Sequence, residues 1–263
     1  MKVDGSEADP GRRPAIAAAV GLPVLGTVGT VVLWWLVVVA FDVESYLVPT
    51  PGQVASAFTR MPGYLLDNAR VTLVETLAGF ALTVVGGLVL GGLLAASRLL
   101  EQALYPVLVA LNAVPKLAFA PLLVVWMGFG HAPKIVMVVL MCFFPVVLAT
   151  AAGLTSTPKD LVELARSLSA SRLQTFVKVR LRAALPQIFV GLKTAMPLAV
   201  IGALVGELFG ASEGLGFVIQ NAGGDTAVAF AAIALLAVMS IVLFYVLVVA
   251  ERLLLPWVRE TTG

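Results

Sequence analysis

Residues 162–188 read VELARSLSASRLQTFVKVRLRAALPQI, a basic and amphipathic stretch of helical pattern in a chain that is 60% hydrophobic. Leu161, Leu164, Ala165 and Leu168 recur at helical spacing and form one apolar stripe. Upstream, Thr157-Pro158-Lys159-Asp160 has the form of a helix start: a capping Thr, Pro at the first position and an early acid. Ser169-Ala170-Ser171 breaks the pattern, and Ser171 with Gln174 forms an S-x-x-Q capping box that opens a second helix. Leu173, Phe176, Val177, Leu181 and Ala184 make its stripe, and Pro186 precedes the next apolar run. Two short helices at an angle are expected. Helices below about 12–15 residues are marginal alone in water, so their apolar faces need cover. One stripe is expected to pack on the ends of neighbouring helices, leaving a tip around Glu163–Ser171 exposed for a partner.

The rest of the chain is of another kind. Of 263 residues only 12% are charged, against about 25% in soluble domains, and mean hydropathy is +1.03. These values indicate a membrane protein. The net charge of +2 gives no sign of a nucleic-acid partner, and the one cysteine, Cys142, excludes an internal disulfide. Uncharged runs cover Ala15–Phe41, Thr76–Ser97, Ile135–Thr157 and Thr226–Ala250. Interrupted runs cover Gln102–Met127, containing Lys116, and Ile188–Phe209, containing Lys193 and Glu207. A bilayer core of about 30 Å takes roughly 20 apolar residues per helix, so about six spans are expected in an all-α polytopic protein. The first run is too long for a signal peptide and is read as a retained span.

Lys and Arg concentrate on the side of the basic stretch, which places that stretch and both termini in the cytoplasm, with the chain multi-pass in the cell membrane. Residues 1–14 are expected to be a disordered cytoplasmic tail, 15–257 the membrane domain with its loop at 157–186, and 258–263 a C-terminal tail. Outside, Asp42–Asp67 is Pro- and Gly-rich, with a surface helix expected over Gln53–Arg60 and Glu75 at a span end near the interface. Phe209–Asp225 reads as a turn and a short helix, either re-entrant or a plain loop. No G-x-x-x-x-G-K-[ST] loop, H-E-x-x-H, G-x-S-x-G or Cys/His metal spacing occurs, so neither catalysis nor a cofactor is expected, and His131 in GFGHAP reads as a solvated or locally bonded imidazole.

Charges within spans default to functional hypotheses. Lys116 and Glu207 either pair or face a central pathway. Lys116 otherwise snorkels or joins an internal ion pair, and Glu207 otherwise makes a structural bond near the outer edge. Asn112, Pro115 and Pro121 suggest a kinked, partly open helix beside Lys116.

The stretch 162–188 resembles the "EAA" loop of ABC importer permeases: Glu163, Ala165, Val179 and Leu181 fall in register with that motif. AVPKLAFAPLLVVWMGFG before it and GALVGELFGASEGLGFVI after it resemble the nitrate/sulfonate/taurine-type permeases and, in the VPK and VGE wording, the thiamine-precursor and riboflavin subgroup. Leu164 replaces the motif's middle residue, Ser169 stands where the motif has Gly, and Arg182 where it has Pro. A left-handed turn at Ser169 would cost roughly 1 kcal/mol. The resemblance implies a type I (MetI-like) permease fold, in which Glu163, Leu164, Ala165, Arg166, Leu168, Ser169, Ala170 and Ser171 belong to a coupling helix inserted into a cytoplasmic ABC ATPase. It further implies a second permease copy, an extracytoplasmic solute-binding protein, and ATP hydrolysis on a partner chain. An ion-gradient-driven secondary transporter is the alternative, although no inverted repeat is visible. The substrate stays open among these anionic and heterocyclic solutes.

Overall fold

Thr50-Pro51-Gly52-Gln53 shows how firmly local chemistry starts the helices of this protein. Gln53 N–H donates to Thr50 Oγ1 (3.3 Å), Thr50 N–H donates to Gln53 Oε1 (2.8 Å), and Pro51 sits at the first helical position. The structure is a computed structural model and describes residues 12–258. Helix α1 is Arg12–Ala40, α2 is Pro51–Arg60, and α3 is Pro62–Ala96. Helix α4, Arg98–Ala113, leads through a 3-10 turn at Lys116–Ala118 into α5, Phe119–Met127. Then follow α6 (His131–Thr155), α7 (Lys159–Ser167) and α8 (Arg172–Thr175). A π-helical turn at Phe176–Arg180 joins α8 to α9, Leu181–Leu208. Helices α10 (Leu215–Gln220) and α11 (Thr226–Leu254) complete the series. Among the described residues there is no strand.

Helices α3, α6, the continuous Leu173–Leu208 rod and α11 are each long and apolar enough to cross a membrane. The α4–α5 pair, bent by 73° at its break, makes a fifth when it is counted as one span, and α1 contributes the shorter apolar helix Val24–Ala40. Six expected runs therefore stand as four helices, one bent pair and α1. Of the expected terminal segments, residues 1–11 and 259–263 lie outside the described residues, and residues 12–14 belong to α1.

Three boundaries differ from the sequence expectation. Helix α3 starts at Pro62, not near Thr76, so Asp67, Arg70 and Glu75 lie within it. Pro62 at the first helical position needs no donor there and starts the helix early. Glu75 is fully buried (0% exposed), not interfacial. Second, the helix beginning at Arg172 is no separate hairpin arm. It runs through Pro186 and Pro197 into the span. A proline inside a helix removes one backbone bond, and the burial of Ala184, Ile188 and Phe189 around Pro186 keeps the rod intact. Third, the Thr157 hydroxyl is buried without a hydrogen-bond partner among the described residues, so it does not act as the cap.

Helix α6 lies at the centre, packed between α3 and α9. With no hydrophobic driving force between helices in lipid, close backbone approach supplies the packing. A Cβ on Gly202 of α9 would lie 2.7 Å from Val138 Cα, and one on Gly91 of α3 would lie 2.8 Å from the Val147 carbonyl oxygen. Only glycine lets the backbones meet there. Met137, Val138, Cys142, Val146, Val147, Ala195, Ala199 and Ala203 fill the seam, each under a tenth exposed.

Candidate functional site

Chemistry-bearing residues collect in three places: the elbow around α7, the break between α4 and α5, and a buried network at the opposite end of the bundle, around α10.

At the elbow, α7 ends in a left-handed residue. Ser169 has φ +59°, and Ala170 N–H reaches back to the Ala165 carbonyl at 3.0 Å. This is the six-to-one bond of a Schellman cap, and it sets Ser169 where glycine is ordinarily preferred. The second cap forms as its sequence signature indicates: Gln174 N–H donates to Ser171 Oγ (3.2 Å), and Ser171 N–H to Gln174 Oε1 (2.9 Å). The stripe on α7 is largely uncovered, as the exposed tip requires: among the described side chains of the helix only Val162 is buried, while Leu161, Leu164 and Leu168 are 46%, 57% and 74% exposed. Nine residues present too little surface to seat both faces, and Val162 takes the inward one. Ala165 and Ala170 are half-buried, and Glu163, Ser169 and Ser171 are exposed. The side chain of Arg166 lies outside the described residues. Glu163 lines a groove of about 610 Å³ with Arg98, Glu101, Thr155, Thr157 and Arg180. At the base of the rod, the Arg182 guanidinium lies 5.7 Å from the Trp257 ring centre, a cation–π contact in the place of the motif's proline.

At the break, α4 stops at Ala113, Val114 and Pro115 are extended, and the chain turns through Lys116–Ala118 into α5. Pro115 cannot continue the hydrogen-bond ladder and disfavours a helical residue before it. Lys116 Nζ donates to Asn112 Oδ1 at 2.7 Å. Both line a cavity of about 250 Å³ whose other walls are Leu140, Phe143 and Phe144 of α6, Phe119 of α5 and apolar residues of α4. The structure thus brings Asn112 and Lys116 together.

Glu207, the third candidate, is elsewhere. It is fully buried at the end of α9, where Thr72 Oγ1 donates to its Oε1 (2.6 Å) and Gly216 N–H to its Oε2 (2.6 Å). Asn68 Oδ1 accepts from Gly214 N–H (2.7 Å) and Thr72 Oγ1 from Leu215 N–H (2.9 Å). Glu207 therefore neither pairs with Lys116 nor lines its cavity; it ties α10 to α3 and α9. Phe209–Asp225 is accordingly a turn and a short helix seated within the protein, with Leu215 and Val218 buried.

Beside this lies a cluster the sequence reading missed. Glu75 Oε1 accepts from Lys134 Nζ (3.1 Å) and meets His131 Nδ1 at 2.7 Å, and His131 Nε2 lies 3.8 Å from Glu213. Lys134 is 3% exposed. Its partner is 59 positions away in sequence, and the local signal that would have exposed the pair was Pro62 opening α3. His131 is partly solvated, and its bond is to a residue 56 positions away rather than a local one. Elsewhere, partly exposed, Lys193 of α9 pairs with Glu251 in the last turn of α11 at 2.6 Å. Among the described residues no group of three or more His, Cys, Asp or Glu is placed to hold a metal ion.

Compared with known proteins, residues 84–260 match the family described as the binding-protein-dependent transport system inner membrane component. A probable ABC transporter permease protein of Haemophilus influenzae is 40% identical over 81% of this chain and 88% of that protein. A riboflavin transport system permease protein of Chloroflexus aurantiacus is 37% identical over 91% and 90%. Among solved structures, the inward-facing MetNI methionine ABC transporter superposes with a TM-score of 0.63 over 76% of this chain and 98% of that one, at 21% identity.

Proposed function

We infer, from the premise that this chain belongs to the binding-protein-dependent transport system inner membrane components, that it is the membrane permease subunit of an ATP-driven importer for a small organic or anionic solute. ATP hydrolysis belongs to a partner chain. The ion-gradient alternative gives way to this membership. In the orientation that fits, the elbow and both termini face the cytoplasm, and the α10 end faces the solute-binding protein. Two copies about a twofold axis would enclose a route past Asn112 and Lys116.

One observation carries the coupling role: the uncovered stripe of Leu161, Leu164 and Leu168 on a helix too short to stand alone. Burying a leucine is worth about 1.5–3 kcal/mol, so an ATPase groove that takes this stripe supplies the cover the bundle does not. Glu163 at the groove's rim offers a charge to a basic residue of the ATPase. Ala165, Ser169, Ala170 and Ser171 permit close approach, with Arg166 beside them. The swing of α7 on nucleotide-driven closure would switch the route between the two faces as a rigid-body step.

The test is Glu163→Arg together with Leu164→Ser, read by co-purification with the ATPase and by ATP-dependent uptake in vesicles. Both readouts are expected to fall. Unchanged co-purification with normal uptake refutes the coupling role.

A further inference from the structure

Among the described residues, two lysines of the apolar helices come with a carboxylate and Lys116 does not. Lys134 has Glu75 and Lys193 has Glu251. Lys116 has the Asn112 amide oxygen, and among the described residues no carboxylate lies within ion-pair distance of it. Asn112 occupies one of the three donors of the ammonium, leaving the others for a partner. The residues around it supply no acid either: the cavity is lined by Leu108, Leu111, Val114, Phe119, Leu140 and the two phenylalanines of α6. The half-buried Lys116 ammonium stands at the edge of a half-open apolar and aromatic recess with no carboxylate beside it, an arrangement complementary to an apolar body carrying one negative group. It sits at the break of the bent α4–α5 pair, where the helix ladder is interrupted by Pro115.

We propose that the α4–α5 break is a solute subsite for an organic anion, with the Lys116 ammonium receiving the anionic head and Phe119, Phe143 and Phe144 holding an aromatic or apolar body. The proposal rests on the permease reading and narrows its substrate class. Size agrees: an apolar cavity of about 150 Å³ holds a benzene, and the recess measures about 250 Å³. One ring and a sulfonate- or carboxylate-sized head fit. A bare inorganic anion leaves the aromatic walls unfilled, and a neutral heterocycle leaves the ammonium unpaired.

The experiment uses the full-length permease assembled with its ATPase in nanodiscs of phosphatidylcholine alone. Benzenesulfonate and its neutral counterpart benzamide are titrated calorimetrically. Benzenesulfonate is expected to bind more tightly than benzamide. Lys116→Met and Lys116→Gln are each expected to weaken it by about tenfold or more, the scale of a charge-assisted hydrogen bond. Lys116→Arg is expected to retain it, and benzamide to respond to none of the three. Equal affinities for the two probes, no binding of benzenesulfonate, or binding untouched by both neutral variants overturns the proposal. An anionic lipid offers the same chemistry, so the titration is repeated in phosphatidylglycerol nanodiscs. Unchanged benzenesulfonate binding supports a solute site. Displacement by phosphatidylglycerol, retained on purification by the wild type and lost in Lys116→Met, assigns the site to lipid and overturns the proposal. Co-purification with the ATPase reports the elbow separately: if it survives while Lys116 proves indifferent to benzenesulfonate, the importer reading stands and the subsite falls.

Discussion

Replacing Lys134 by Met removes the ammonium 3.1 Å from Glu75 and strands a carboxylate that is 0% exposed. Its second oxygen, Oε2, already has no partner among the described residues. Removing one partner of a buried ion pair costs about 3–5 kcal/mol, because the remaining charge stays desolvated. Here His131 still reaches Glu75 Oε1 at 2.7 Å, which places the loss near the lower end, about 3 kcal/mol. Glu75→Leu strands Lys134 instead. A lysine stem can carry its head toward water, so about 2 kcal/mol is expected. The double variant Glu75→Leu/Lys134→Met leaves no uncompensated charge in the pair and two apolar side chains against each other. Such replacements are often neutral or stabilising, so its loss is expected at about 1 kcal/mol or less. Unfolding of the purified protein in detergent, followed by tryptophan fluorescence against denaturant, gives the four corners of the cycle. The coupling term is then roughly −4 kcal/mol, well above the 0.3–0.5 kcal/mol scatter of independent sites. A double variant as damaged as the sum of the singles refutes the reasoning.

Gly202→Ala would set a Cβ 2.7 Å from Val138 Cα, inside the 3.5–4.0 Å optimum for carbon contacts, and is expected to cost about 1–3 kcal/mol in thermal unfolding. Gly92→Ala, with nothing within 4 Å, is expected to gain about 0.5–1 kcal/mol; equal effects at the two sites contradict the packing account. Ser169→Gly relieves a left-handed residue at φ +59° and is expected to stabilise the elbow by about 1 kcal/mol, seen as slower proteolysis there; unchanged cleavage contradicts it.

What the sequence reveals of this protein follows the range of the forces involved. The Ser171–Gln174 box is local, set within a few residues, and is present as read; the left-handed turn whose cost at Ser169 the motif raised is present too. Apolar runs locate the spans because hydropathy needs no partner. Lys116 and Asn112 lie one helical turn apart and meet as their spacing allows. The misplaced residues depend on distant ones. Glu75 looked interfacial because its partners Lys134 and His131 lie on another helix. Glu207 stood open between the route and a structural bond, and the bonds from the Thr72 hydroxyl and the Gly216 amide, which the local sequence does not show, decide for the second. Pro186 looked like a stop because the burial of Ala184 and Ile188, which overrides it, is tertiary.

The unbroken run from Leu173 to Leu208 makes a push rod of 36 residues, about 54 Å at 1.5 Å per residue. One tip carries the Ser171 cap, and the other carries Glu207, bonded to the first turn of α10. Pivoting such a rod by roughly 5° about one tip sweeps the other through about 5 Å, with no relay of side chains between them. The π-helical turn at Phe176–Arg180 and the prolines at 186 and 197 are its compliant joints. Under the coupling role proposed for α7, stiffening or loosening them would set how much of a stroke reaches the far tip.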